Sequence, residues 1–221
     1  MGISPKVLAI DSTHECGSIA LARGDEILEE LALRAPDGFA HVIYGHLAGL
    51  LERHAIQVCD IDCFASASGP GSFTGVRVGL ACVKGLAEAC GKAAVAVSNL
   101  QALAALGSGP LRAAVLDARR GEVYGCVYDA TGAAVAQEVV AKFSVWLETL
   151  PPGVEFVSQD FSPELAGTRF EGASVVRAPH ALAGTIARIA RTRLQQGEAL
   201  DPAALDANYV RRSDAELFWK E

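Results

Sequence analysis

The order of apolar and polar positions in the first half of the chain predicts three strands, followed by alternating helices and strands. An apolar run at 7–10 ends in a carboxylate at Asp11, and a polar turn separates it from the next apolar segment. Because sequential strands usually pair as neighbours, the first three segments are expected to form an antiparallel meander. The predicted strands of this half are 7–11, 17–22, 27–33, 63–68 and 94–98.

Two amphipathic helices are predicted between these strands. Residues 39–54 carry apolar side chains at helical spacing, and so do residues 73–90. Ser72 directly precedes the second helix and is well placed to cap it, because a serine hydroxyl accepts a hydrogen bond from the first backbone N–H groups of a helix. Asn99 is expected to cap a third, short helix at 99–106.

The second half of the chain restarts the same order after Gly107-Ser108-Gly109-Pro110, the best linker candidate. An apolar run at 113–117 again ends in a carboxylate, that of Asp117. Further strands are predicted at 122–128, 133–140, 154–158 and 175–176, and helices at 143–150 and 181–196.

The fold class predicted from this repeated order is α/β, with two lobes that each hold a mixed sheet flanked by helices. The order is similar to that of the duplicated actin-like ATPase architecture, which sugar kinases share. We expect an N-terminal lobe at 1–106 and a second, more divergent lobe at 107–200. A C-terminal segment at 201–221 is expected to pack back on the first lobe.

Composition narrows the classes of function. The 221 residues are 51% hydrophobic and 20% charged, with a formal net charge of −7, so a folded acidic protein is expected. Contacts to RNA phosphates need clustered Lys and Arg side chains. Any role of this acidic chain in RNA metabolism is therefore expected to depend on a partner. No segment approaches the ~20 apolar residues that span a bilayer, and no signal-peptide core is recognised. We therefore expect a cytoplasmic chain.

The cysteines carry no recognisable metal or disulfide spacing. None of the six belongs to a CxxC pair, and several lie in apolar surroundings, so reduced and buried thiols are expected. They are Cys16, Cys59, Cys63, Cys82, Cys90 and Cys126.

The densest chemical signal is the Gly-rich segment SGPGSFTGVRVG at 68–79, which joins a predicted strand to a helix. Gly69 and Gly71 allow close backbone approach, and the N–H groups that follow Ser72 favour an anion. The segment is either a phosphate or carboxylate site, or a tight connection without a ligand. It is neither a P-loop nor a dinucleotide fingerprint.

Small residues form a stripe along the helix that follows, with Gly75 and Gly79 four positions apart. Small side chains at this spacing let another helix approach closely. The stripe either packs on the chain's own sheet or forms a helix-to-helix contact with another subunit, and the residues leave both interpretations open.

The two strand-ending carboxylates lie in equivalent turns. In an actin-like fold the Asp11-Ser12-Thr13 turn would face nucleotide phosphates, with Asp11 holding Mg²⁺ through water. The alternative is a hairpin turn in which the aspartate bonds its own backbone. In the second turn, Asp117 is followed by Arg119 and Arg120, which either bind an anion or a partner's carboxylate or remain solvated.

Metal and nucleophile motifs are missing from the sequence. His41 and His46 are five residues apart, which does not place both rings on one face of a helix. HExxH and GxSxG are absent as well. We therefore expect no metal site.

Three segments together allow comparison with a known family: LAIDST at 8–13, SGPGSFTGVRVG followed by KGLA at 84–87, and LDARRGEVY at 116–124. Together they resemble the TsaB family, the YeaZ-type, glycoprotease-like subunits of bacterial tRNA threonylcarbamoyladenosine synthesis. The Gly-rich segment is the specific part. Asn208-Tyr209-Val210-Arg211 is similar to the closing Pro-Tyr-Leu-Arg-type segment of the family, although Ala207 and Asn208 stand where a proline is expected.

The resemblance implies a scaffold without catalytic residues. Such subunits pair with TsaD, which transfers a threonylcarbamoyl group to the adenosine next to the anticodon of tRNAs that read codons beginning with A. The implied partner interface lies on the two N-lobe helices, at Val42, Leu47, Leu50, Phe73, Thr74, Gly75, Val76, Gly79, Val83 and Leu86. The implied vestigial nucleotide or anion loop consists of Asp11, Ser12, Thr13, Gly69, Gly71 and Ser72.

The resemblance also implies the remaining partners. The small ATPase TsaE joins the pair, tRNA is reached through the complex, and the isolated chain forms a homodimer through the same surface. No membrane partner is expected, and no cofactor beyond weak or partner-dependent binding of ATP or ADP.

Two other classes of function stay open. An active actin-like phosphotransferase would need Asp11 and Asp117 to hold ATP and Mg²⁺. A peptidase, which the glycoprotease name suggests, would need a metal pair or a nucleophile triad.

Overall fold

Two compact units make up residues 4–211, the part of the chain that the computed structural model describes. The first unit contains residues 4–99 and 180–207, and the second contains residues 100–179 and 208–211. Each unit is built on one five-stranded sheet.

The sheet of the first unit has the order β3-β2-β1-β4-β5. Its first three strands pair antiparallel, which confirms the predicted meander, and the last two pair parallel. Because β4 and β5 are parallel, the chain must cross over between them through a helix. The bounds are β1 Lys6–Asp11, β2 Cys16–Arg23, β3 Glu26–Arg34, β4 Cys63–Ala67 and β5 Ala93–Val97.

Helices α1 (Ile43–Arg53) and α2 (Phe73–Cys90) cover one face of this sheet. The bounds of α2 are those predicted, and Ser72 caps it by accepting a hydrogen bond from Gly75 N at 3.3 Å. Alternate strand residues point toward these helices, as the two-residue period of a strand requires. The shared core includes Leu8, Ile10, Ile19, Leu21 and Phe64.

Helix α5 (Ala183–Gln195) packs on strands of the same sheet, although the sequence analysis assigned it to the second lobe. Its N-terminus is held by side chains of the first unit. Ser18 Oγ accepts hydrogen bonds from Leu182 N at 3.0 Å and Ala183 N at 2.9 Å. Glu30 Oε1 accepts one from Gly184 N at 2.8 Å. The helix therefore belongs to the first unit, and the predicted second lobe at 107–200 was wrong to include it.

The sheet of the second unit repeats the topology of the first, in the order β8-β7-β6-β9-β10. Three antiparallel strands are again followed by two parallel ones. The predicted α/β fold class, with two mixed sheets flanked by helices, is confirmed. The bounds are β6 Leu111–Asp117, β7 Glu122–Asp129, β8 Val139–Lys142, β9 Glu155–Ser158 and β10 Val175–Arg177, with helices α3 Asn99–Ala104 and α4 Phe143–Thr149.

Three further boundaries differ from the prediction by more than two residues. Helix α1 begins at Ile43, four residues later than predicted, after a separate 3₁₀ turn at Phe39–His41. Strand β8 begins only at Val139. The predicted start of the strand, near residue 133, lies instead in a turn in which Asp129 Oδ1 accepts hydrogen bonds from Thr131 N and Ala133 N. In the C-terminal segment, residues 201–207 belong to the first unit and residues 208–211 to the second. Residues 212–221 lie outside the described part of the chain.

The prediction of six reduced cysteines is wrong for one pair, because Cys59 and Cys90 form a disulfide. Three of the free cysteines are buried. Burial raises the pKa of Cys63 to about 12, and the pKa values of Cys82 and Cys126 to about 11. These three thiols are therefore protonated and unreactive near neutral pH.

Within residues 4–211, no helix is long and apolar enough to cross a bilayer.

The cap that Ser18 provides for α5 predicts a measurable loss of stability. Ser18→Ala leaves two buried N–H groups without their acceptor, so the free energy of unfolding should fall by about 1–3 kcal/mol. The measurement is urea denaturation followed by circular dichroism. The matched control is Ser144→Ala at an exposed position of α4, which should change stability by less than about 0.5 kcal/mol. Equal effects of the two substitutions would contradict the role of Ser18.

Candidate partner-docking surface

The turn that follows β1 is closed on itself. Asp11 is only 2% exposed, and its Oδ1 accepts hydrogen bonds from Thr13 N at 3.0 Å and from Thr13 Oγ1 at 2.7 Å. This is the turn in which an aspartate bonds its own backbone, one of the two interpretations that the sequence left open.

Asn99 joins this turn to the Gly-rich segment. Its fully buried side chain donates from Nδ2 to Thr13 Oγ1 at 2.8 Å and accepts at Oδ1 from Gly69 N at 3.0 Å. Ser72 N adds a bond to Thr13 O at 2.7 Å, and the Gly69–Pro70 peptide bond is cis. The two loops predicted to hold a nucleotide or anion are thus adjacent, and they bind each other.

The Gly75 and Gly79 stripe faces this loop inside the first unit. Ser12 Oγ donates to Gly75 O at 2.8 Å. A Cβ atom on Gly79 would lie 2.7 Å from both Ser12 Oγ and Ser66 Oγ, closer than real Cβ contacts allow. The structure therefore favours the first of the two interpretations of this stripe, in which it packs against the chain's own elements.

The predicted interface residues separate into two groups by burial. Val42, Phe73 and Thr74 are exposed. The others are buried or half-buried within the first unit, so they support the helices rather than form their outer face. They are Leu47, Leu50, Gly75, Val76, Gly79, Val83 and Leu86.

A different stripe of small residues faces outward on the same two helices. A Cβ atom on Gly45 or Gly85 would meet no atom within 4 Å, and Ala48 and Ala81 are exposed as well. We call these four residues, with Val42, Tyr44, Phe73 and Thr74, the docking face.

Three large side chains of the docking face are unusually exposed. Tyr44, Phe73 and Val42 are 58%, 44% and 37% exposed. The neighbouring Cys82 sulfur, and then partial burial, raise the pKa of Tyr44, which hydrogen-bonds to that sulfur. The guanidinium of Arg77 lies 3.7 Å from the centre of the Phe73 ring. Sequence reasoning missed Tyr44, although its place on the polar side of an amphipathic helix was a usable signal.

The turn that follows β6 repeats the local bond of the β1 turn. Asp117 Oδ1 accepts a hydrogen bond from Arg119 N at 2.8 Å, but Asp117 is exposed. Arg119 and Arg120 have φ values of 64° and 55°, a left-handed conformation that is uncommon outside glycine. Arg211, the last residue of the closing segment at 208–211, donates to Ala118 O at 3.0 Å and pairs with Glu122.

Among residues 4–211, no group of three or more His, Cys, Asp and Glu side chains is arranged to hold a metal ion.

Comparison with known proteins places the chain in a family. Residues 35–191 match the family model described as TsaD, tRNA N6-adenosine threonylcarbamoyltransferase. The chain is 30% identical to the tRNA threonylcarbamoyladenosine biosynthesis protein TsaB of Bacillus subtilis, over 97% of this chain and 98% of that protein. It is 34% identical to the Escherichia coli TsaB protein over 56% of this chain and 54% of that one.

The fold has solved counterparts. A protein of Pseudomonas aeruginosa with similarity to peptidase YeaZ superposes with a TM-score of 0.71 and 23% identity, covering 94% of this chain and all of that chain. At that identity the likeness concerns the fold alone, and it agrees with the duplicated actin-like architecture expected from the order of elements. The nearly full-length match to a TsaB protein shows that the chain belongs to the TsaB family and takes part in tRNA threonylcarbamoyladenosine biosynthesis.

Proposed function

We propose that the chain is a non-catalytic scaffold that activates threonylcarbamoyl transfer by pairing with the catalytic subunit TsaD through the docking face. The observation that carries the proposal is the outward stripe of Gly45, Ala48, Ala81 and Gly85, beside the exposed Tyr44, Phe73 and Val42. Family membership supports TsaD as the partner.

The chemistry of the docking face suits a pair of helices from another subunit. Small side chains on α1 and α2 let partner helices approach at the shorter end of the usual 8–10 Å spacing. Aromatic residues are enriched in interfaces, and Tyr44 and Phe73 provide anchors that order little side-chain freedom on binding. Arg77 places a guanidinium over the Phe73 ring.

The closed loop supports a scaffold over an active phosphotransferase. A phosphotransferase needs an acidic group free to organise Mg²⁺ and phosphates. Here Asp11 is buried and one of its oxygens already accepts two hydrogen bonds. The protonated buried thiols likewise give no support to a cysteine peptidase.

The remaining partners follow from the same proposal. TsaE joins the heterodimer, tRNA is bound through the complex, and in the absence of TsaD the docking face pairs with a second copy of the chain. The complex acts in the cytoplasm. The chain needs no cofactor of its own and binds ATP or ADP weakly or only with its partner.

The docking face is tested by filling the open space beside Gly85. Gly85→Leu should leave the isolated chain folded, since no atom lies near the new Cβ, but should raise the Kd for TsaD at least tenfold, about 1.4 kcal/mol, by blocking helix approach. Isothermal titration calorimetry gives the affinity. Ser144→Leu adds the same side chain to an exposed helix position of the second unit and should leave Kd unchanged. Wild-type affinity for Gly85→Leu would refute the proposed surface.

Two alanine substitutions separate the buried glycine stripe from the exposed one. Gly79→Ala should lower the free energy of unfolding by about 1–3 kcal/mol, because its Cβ crowds Ser12 and Ser66. Gly85→Ala should raise it by about 0.5–1 kcal/mol, because it improves helix propensity without a clash. Urea denaturation of the isolated chain measures both. Stabilisation by both substitutions would show that Gly79 is not tightly packed.

The structural role of the β1 turn predicts that Asp11→Asn is tolerated. The amide oxygen of asparagine keeps an acceptor for Thr13 but removes the charge that Mg²⁺ would need. Reconstituted threonylcarbamoyl transfer should stay within about twofold of wild type, a change in activation free energy of under ~0.5 kcal/mol. If the variant loses as much activity as omission of the chain does, while its melting temperature is unchanged, the turn has a nucleotide role.

A further inference from the structure

The disulfide between Cys59 and Cys90 joins the connection before β4 to the end of α2. Cys59 lies in a short 3₁₀ turn, Val58–Asp60, and Cys90 is the last residue of α2. Their Cα atoms are 5.1 Å apart, within the 4.4–6.8 Å range that a disulfide spans. Placement of the two backbones therefore allows the bond without rearrangement of either element.

Cys59 is also the only cysteine of the described chain that is exposed, and Cys16 is half-buried like Cys90. Cys63, Cys82 and Cys126 are buried. Thiol–disulfide exchange requires an incoming thiolate to reach a sulfur atom. An exchange reagent can therefore attack Cys59, while the buried thiols are shielded.

The last turn of α2 is the segment that this bond restrains. Gly91 follows the helix in a left-handed conformation (φ 60°), and its N–H donates to Ala87 O and Glu88 O. Lys92 N also donates to Ala87 O, at 2.9 Å. These backbone bonds cap the helix. The disulfide adds a covalent tie from Cys90 to a segment 31 residues earlier in the chain.

We propose that Cys59 and Cys90 are a reversible thiol–disulfide couple, opened by a low-molecular-weight thiol of the glutathione type, and that the oxidised state fastens the last turn of α2. Disulfides in reducing compartments are mostly transient or redox-sensing, so the physiological importance of the couple rests on the cytoplasmic action proposed above. The chemistry itself is tested on the isolated chain and does not depend on TsaD.

The exchange balances in two steps. A glutathione thiolate attacks Cys59 Sγ, the Cys59–Cys90 bond breaks, and Cys90 leaves as a thiolate that takes up a proton. A second glutathione thiolate then attacks the glutathione sulfur of the mixed disulfide. This step releases Cys59 as a thiolate, which is then protonated, and forms oxidised glutathione. The protein disulfide is reduced by two electrons and two glutathione molecules are oxidised.

The experiment equilibrates the full chain in glutathione buffers of increasing oxidised fraction, followed by maleimide labelling and intact mass spectrometry. As the oxidised fraction of the buffer rises, the number of maleimide labels per chain should fall by two in a single step, because Cys59 and Cys90 become unreactive together. Oxidised protein should melt about 10 °C higher than reduced protein, since cross-linking a loop of this length restricts the unfolded chain. Amide hydrogen exchange of residues 88–90 should be slower in the oxidised state.

Single substitutions provide the controls. Cys59→Ser and Cys90→Ser should melt like the reduced wild type and ignore the redox buffer, whereas Cys16→Ser should retain the wild-type response. The proposal is overturned if both thiols are labelled at every buffer ratio, if the disulfide persists at the reducing end, or if the melting temperature and the exchange of residues 88–90 are the same in both states.

Discussion

The hydroxyl of Thr13 holds together the part of the first unit on which the docking face depends. It donates to the Asp11 carboxylate and accepts from the Asn99 amide, and the carbonyl of the same residue accepts from Ser72 N. Three parts of the chain meet there: the turn after β1, Ser72 at the start of α2, and Asn99, two residues after β5. Because Asp11, Thr13 and Asn99 are buried, losing either side-chain partner of the Thr13 hydroxyl would leave a desolvated polar atom at a cost of about 1–3 kcal/mol. The direction in which α2 leaves the sheet is fixed by this network, and with it the residues that face outward.

The two units have one topology but different contacts at the equivalent turns. Both sheets have the same strand order, and both strand-ending aspartates bond the backbone two residues later. In the first unit the aspartate is buried and its turn is hydrogen-bonded to the Gly-rich segment. In the second unit the aspartate is exposed, and two arginines with left-handed backbone conformation follow it. In the first unit, the polar groups that such turns could offer to a ligand form hydrogen bonds with one another instead.

The sequence predicted what local patterns determine. The meander, the bounds of α2 and its Ser72 cap follow from alternation, helical spacing and hydroxyl chemistry within a few residues. The assignment of α5 failed because its N-terminus is capped by Ser18, more than 160 residues away. Hydrophobic periodicity marked α5 as a helix but carries no information about which sheet it covers.

The candidate site was predictable only in part, for a related reason. Two stripes of small residues run along α2, and a glycine looks the same in the sequence whether it faces a serine of its own chain or solvent. Gly79 and Gly85 are distinguished only by the contacts that the folded unit makes. The Cys59–Cys90 pairing could not be predicted for the same reason, because no sequence motif marks two cysteines that are 31 residues apart.

The central claim is that this chain activates transfer without performing chemistry, and a reconstituted reaction tests it most directly. Threonylcarbamoyl transfer to tRNA is counted per TsaD molecule with TsaE present, with and without this chain, and the chain is also assayed alone with ATP and tRNA. The account predicts transfer only when TsaD and this chain are both present, and no turnover by this chain alone. ATP hydrolysis or transfer by the isolated chain would contradict it, and would make the Asp11 and Asp117 turns candidates for an active site.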